Sequence, residues 1–268
     1  MRTLAVLGNV AIDVINDGPE QVGGGPFHCG QGLRLLERRA HIVAKCAADD
    51  RPLVLPALST LGVPLTLLDG ERTARFVLSY EGEVRQTEIA AVGATWTRDD
   101  VAAAGTADWV HVAPLARSDF PADTLAVLAR GRHVSYDGQG LVRSAAVGPV
   151  KLEGGFDRGI LRHLSFLKLA EEEAAAILPD LSERSIFALD VPEIILTLGS
   201  RGSIVHANGD AIPVPCHPIH DVDVTGCGDA FAVGYLAARS DGVGPVAAAR
   251  RATALVALLL TGRKRGRG

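Results

Sequence analysis

Apolar residues in this chain fall into short runs closed by glycine or by polar residues, and these alternate with longer stretches of helical spacing. Leu4-Ala5-Val6-Leu7-Gly8 is the first run and reads as a buried strand, with apolar positions continuing through Val10, Ile12 and Val14. Further strands are expected at 41–44, 65–68, 109–112, 133–137, 163–168 and 193–198. Helices are expected at 29–39, after Asp49-Asp50 as far as Leu61, at 119–130, from Leu169 to Leu178, from Ala230 to Arg239 and from Val243 to Leu260. Repeated strand–helix units predict an α/β fold with a mostly parallel sheet covered on both faces.

Two stretches break that rhythm. Residues 73–80 and 84–89 alternate polar and apolar positions around Glu81-Gly82-Glu83, which predicts a projecting β-hairpin. Residues 203–207 and 211–214 flank Asn208-Gly209, a strong hairpin turn.

Composition narrows the reading. With 268 residues, 47% of them hydrophobic, the chain can bury one large α/β core or two small ones. A net charge of −4 gives no basic footprint for nucleic acid, and Arg263-Lys264-Arg265-Gly266-Arg267 reads as a short frayed tail. Cys29, Cys46, Cys216 and Cys227 are scattered with no Cys-x-x-Cys pair, which argues against zinc and redox motifs. Met1-Arg2-Thr3 leads straight into the first strand, and the apolar run Ala252 to Thr261 is shorter than a bilayer crossing needs. The expectation is a cytoplasmic protein with no membrane partner.

The richest stretch is Asp221 to Phe231. Gly226, Cys227 and Gly228 place backbone N–H groups at a helix N-terminus, where the positive end of the dipole favours an anion, and Asp229 stands beside them in the first turn. A pocket for negative charge beside a base is what phosphoryl transfer to an alcohol requires. An ordinary capped helix start accounts for Thr-Gly-x-Gly-Asp equally well. Cys227 has one further reading as a nucleophile, because helix N-termini depress thiol pKa values. No Gly-x4-Gly-Lys-[Ser/Thr] occurs, which excludes a P-loop kinase.

The longer string, Asp223-x-Thr225-Gly226-x-Gly228-Asp229-x-Phe231, resembles the signature of the ribokinase-like (PfkB-type) carbohydrate kinases. The resemblance implies a three-layer α/β/α domain over residues 1–268, with a small lid from about 12–22 and 73–90. It implies an ATP-dependent kinase acting on an alcohol of a small sugar, polyol or cyclitol. A nucleoside kinase of the same family and a non-catalytic ligand-binding member are the alternatives. Asp229 would be the base, and the N–H groups of Gly226, Cys227 and Gly228 would hold the transferring phosphoryl group. Thr197, Gly199, Gly202, Thr225, Gly226 and Gly228 would line the ATP site.

On the acceptor side the resemblance points to Asp13, Gly24, Gly25 and His28, with Asp229 beneath the reacting hydroxyl. Asp13 also reads as a plain strand-end acid, and His28 as a plain helix-start residue. Asp137-Gly138-Gln139-Gly140-Leu141-Val142-Arg143 is a polar strand exit suited to ligand contact or to a simple turn. Glu173 matches an acid that organises Mg²⁺ through water. Three positions depart from the family pattern: Ala170 stands where an Asn is usual, His28 where an Asn is usual, and Glu37 where a Gly is usual. Pairing of two chains through the lid is one option for a partner.

Overall fold

The structure is a computed structural model that describes residues 3–81 and 84–265, so the Glu81-Gly82-Glu83 turn lies partly outside the described residues. In chain order the elements begin with β1 (Leu4–Asn9), β2 (Ala11–Ile15), β3 (Glu20–Gly23), α1 (Gly25–Leu35), β4 (Ala40–Ala47), α2 (Arg51–Ser59) and β5 (Leu65–Gly70). There follow β6 (Ala74–Glu81), β7 (Val84–Ala91), β8 (Trp109–Val112), α3 (Ala122–Leu128), β9 (His133–Asp137), α4 (Gln139–Val142) and β10 (Gly148–Pro149). The last are β11 (Phe166–Ala170), α5 (Glu171–Ile177), α6 (Glu183–Phe187), β12 (Glu193–Thr197), β13 (Ser203–Ala207), β14 (Asp210–Val214), α7 (Cys227–Ser240) and α8 (Pro245–Arg265).

Nine strands form the central sheet in the order β14-β13-β12-β11-β9-β8-β1-β4-β5. From β12 to β5 every pairing is parallel, and the β13–β14 hairpin closes one edge antiparallel. The alternation along β1 shows why both faces need helices. Leu4 and Val6 enter a core shared with α1, α7 and α8, whereas Ala5 and Leu7 enter one shared with α3 and α5.

A second sheet, in the order β10-β7-β6-β2-β3, has its own small core of Ala11, Ala74, Phe76, Leu78, Ile89 and Leu115. The apolar run that reads as one strand from Leu4 to Ile15 is therefore two, split at Val10, whose N–H donates to Lys45 O at 3.0 Å. β1 serves the large sheet and β2 the small one. Asn9 seals the junction from within: its Nδ2 donates to Ala94 O at 2.9 Å and its Oδ1 accepts from Trp96 Nε1 at 3.0 Å. Buried amide groups of this kind must be paired, and both ends of this one are.

Other boundaries moved for local reasons. The strand expected at 163–168 begins later, because residues 158–163 form a 3₁₀ helix capped by Asp157, whose Oδ1 accepts from Gly159 N–H. The stretch 119–130 yields only α3, which starts after Pro121. Glu37 follows α1 with φ 48°, so the glycine usual at this position answers a left-handed backbone that Glu37 adopts at a cost. The expectation of a frayed basic tail fails as far as Arg265, because α8 continues through it. α8 is also long and apolar enough, by length and composition, to cross a membrane. Here it lies on α7 and buries Ala248, Ala249, Ala252, Leu255 and Leu260.

Candidate active site

Parallel sheets place their ligand sites at the carboxyl ends of the strands, and this one has a cavity there. The cavity is about 160 Å³ and is lined by Asp13, Gly24, Gly25, His28, Thr225, Gly226 and Asp229. The sequence scatters these residues over more than two hundred positions, and the fold brings them to one wall. Phe76, Leu78 and Thr87 of the small sheet, with Leu115, cover it, and Gln139 and Arg143 complete it.

The loop before α7 is built by its own side chains. Asp223 Oδ1 accepts from Thr225 N–H at 2.9 Å, and Cys227 N–H donates to Val224 O at 3.1 Å. Gly226 caps the helix at φ 76°, and a Cβ on it would lie 2.5 Å from the His28 ring. One expectation changes here. The N–H of Cys227 is committed inside the turn, so the anion pocket rests on Gly226 and Gly228 with the positive end of α7 behind them. The Cys227 thiol is pushed up to about 11, chiefly by burial, with Arg263 opposing, which counts against the nucleophile reading.

Asp229 sits in the first turn of α7. Burial, followed by the charge of Asp137, pushes its carboxyl up to about 7, against the pull of Lys168 and Arg143. A base with a pKa near the working pH is well matched to taking a proton from a hydroxyl.

Beneath it lies a charge network the sequence reading missed. Lys168, in the middle of β11, donates from Nζ to both carboxylate oxygens of Asp137, at 3.2 and 3.0 Å, and stands 3.9 Å from Glu173 Oε2. The Lys168 and Asp137 side chains are 8% and 3% exposed, so neither charge could survive there alone. Burial works against the Lys168 charge, but Asp137 and Glu173 outweigh it and its pKa rises. Burial likewise opposes the Asp137 charge, and Lys168 brings it below the usual carboxylate range. The available signal was a single lysine inside the apolar run Phe166-Leu167-Lys168-Leu169.

Glu173 turns inward. Its Oε2 accepts from Ala170 N–H at 2.7 Å, one half of a capping box whose other half Ala170 has no oxygen to make. Burial raises its carboxyl, partly offset by Lys168. Among the described residues no cluster of three His, Cys, Asp or Glu could hold a metal ion.

Thr197, Gly199 and Gly202 lie one strand over, outside the cavity wall. Thr197 is level with Ala170 in the sheet and donates from Oγ1 to Leu169 O at 3.1 Å. A Cβ on Gly202 would lie 2.2 Å from Val214 O, so this glycine is required by the hairpin itself. Gly199 opens onto free space.

Comparison with known proteins identifies the fold and the family. A pyrophosphate-dependent kinase of the ribokinase family, solved with a pyrophosphate analogue and myo-inositol, superposes with a TM-score of 0.83 at 22% identity, covering 96% of this chain and 95% of that one. An Arabidopsis thaliana ribokinase complexed with ribose and ATP gives a TM-score of 0.74 at 20% identity, covering 97% and 93%. The fold is thus ribokinase-like. The ribokinase of Bacillus subtilis (strain 168) is 27% identical over 144 residues, 54% of this chain and 47% of that protein, so the match spans about half of the relative's length. The model of the pfkB family of carbohydrate kinases matches residues 58–266, and the chain belongs to that family.

Proposed function

We propose that the protein transfers a phosphoryl group from ATP to an alcohol of a small sugar, polyol or cyclitol. The observation that carries the reading is one small cavity lined together by Asp229, Gly226 and Asp13. A hydroxyl bound by Asp13 and His28 would give its proton to the Asp229 carboxylate as the oxygen attacks. The N–H groups of Gly226 and Gly228 would meet the charge developing on the transferring group, with Lys168 and Arg143 supplying positive field from below and beside.

Mg²⁺ is part of this reading. Among the described residues no donors build a cage for it, and the reading takes the ion to arrive on the donor phosphates with several of its waters. Glu173 is the acid that would face those waters. When bound, the ion neutralises charge on the phosphates.

The acceptor is small in this reading. A cavity of about 160 Å³ is below the roughly 300–1,000 Å³ typical of sites for drug-sized ligands. That favours a monosaccharide or cyclitol over a nucleoside. Pyrophosphate is a second candidate donor, supported by the likeness to the pyrophosphate-dependent kinase. One screen tests the proposal: ATP and pyrophosphate, each with sugars, sugar phosphates, inositols and nucleosides, with phosphorylated product measured directly. Product from a sugar or inositol with ATP supports the reading. Product from nucleosides alone, or binding of polyols with no product from either donor, overturns it.

A further inference from the structure

The basic end of α8 was expected to be loose, and it is instead bonded to the loop that shapes the anion pocket. Arg263 donates from Nη1 to Asp223 O at 2.9 Å and to Thr225 O at 2.7 Å. Its Nη2 donates to Gln31 Oε1 on α1 at 2.9 Å. Lys264 Nζ reaches His220 O, three residues before the first of those carbonyls, at 3.1 Å.

We propose that Arg263 is a positioning residue for phosphoryl transfer: its guanidinium holds the 223–225 loop in the shape that presents Gly226 and Gly228 to the donor.

Residues 215–226 belong to no helix and no strand, so no backbone ladder fixes their course. Asp223 and Thr225 turn their carbonyl oxygens toward one nitrogen, Arg263 Nη1, which donates to both. A guanidinium supplies a fixed fork of donors and a charge that does not titrate. Its source is rigid, because α8 is packed along α7, with Ala252 and Leu255 against Gly234. Arg263 also ties in α1, whose His28 ring touches Gly226, so one side chain connects the donor loop to the acceptor wall. Its charge reaches the first turn of α7, where it opposes the upward shift of the Cys227 thiol.

This inference rests on the proposed kinase reading for its activity arm only. The experiment compares the full chain with Arg263→Ala, Arg263→Lys and Arg251→Ala, the last removing an exposed charge from the same helix. In hydrogen exchange, amides 222–229 of Arg263→Ala are expected to exchange about tenfold faster, with the rest of the chain unchanged. In turnover, kcat of Arg263→Ala is expected to fall by about 10²-fold, the cost of a misplaced reacting group, while the acceptor KM holds. Added guanidinium chloride at millimolar level restores part of that kcat and does nothing for Arg251→Ala. Arg263→Lys, which keeps stem and charge without the fork, should lie between. It also decides the matter if the alanine variant unfolds: exchange and kcat equal to those of the parent in Arg263→Lys would overturn the proposal. So would unchanged exchange and unchanged kcat in Arg263→Ala. If the parent chain transfers phosphate to no acceptor, the functional reading fails, and the exchange arm still judges the loop.

Discussion

The floor and the cover of the cavity are built on opposite principles. The floor is the carboxyl edge of the central sheet, where Asp137, Lys168, Glu173 and Asp229 share buried charge. Lys168 is paired with Asp137 and Glu173, so taking the lysine alone strands buried charge, whereas Asp229 stands against Asp137 and carries its charge at a cost. The cover is the small sheet, which presents Phe76, Leu78 and Thr87 and is tied to the body by half-buried pairs such as Arg75 with Asp50 at 2.7 Å. A pair still partly open to water contributes less than the enclosed network of the floor. The floor is therefore where the chemistry is committed, and the cover is where acceptor preference can drift.

The sharpest way to test that division is Asp229→Asn. Phosphotransfer should fall by about 10²–10⁴-fold, the usual worth of a positioned base, with donor binding retained. Because burial raises the folded-state pKa of Asp229, its charge costs stability above that value. The Asn variant should accordingly melt higher than the parent above pH 7. Near-normal turnover in this variant would end the mechanism.

Next comes Lys168→Met. It leaves Asp137 and Glu173 facing each other without their cation, and denaturant titration should show a loss of about 3–5 kcal/mol. Adding Asp137→Asn should recover part of it. A single variant as stable as the parent would mean the floor is not a coupled unit.

The pH profile is a milder probe. Asp229 accepts a proton only when ionised, so kcat/KM should be level above about 7 and fall roughly tenfold per pH unit below it. A profile flat down to pH 5 would place the base elsewhere. The smallest effect belongs to the cover. Thr87→Val keeps shape and removes a hydroxyl from the wall, and the acceptor KM should change by about two- to tenfold with kcat held. A large loss of kcat instead would put chemistry in the cover and break the comparison.

The sequence was most informative where function forces local composition. Glycine at 226 answers a left-handed cap pressed against His28, and the acid three residues on is a first-turn residue, so the motif carries its own geometry. The parallel sheet was legible from its buried runs for the same reason. What stayed hidden was made by neighbours in space. Lys168 and Asp137 are 31 residues apart and meet because β9 and β11 are adjacent. Arg263 meets Thr225 across 38 residues because α8 folds back along α7. β10 is two residues long, too short to leave a pattern. The split at Val10 was masked because both strands are apolar, and nothing in their spacing says that they serve different sheets.

That split has a consequence for selectivity against water. Asp13 rides on the small sheet and Asp229 on α7, which packs against the large one. An acceptor long enough to touch both carboxylates joins the two sheets, while a water molecule touches only one. Under the proposed transfer the acceptor would be selected by span, and the donor should be hydrolysed slowly in the absence of acceptor and turned over quickly in its presence.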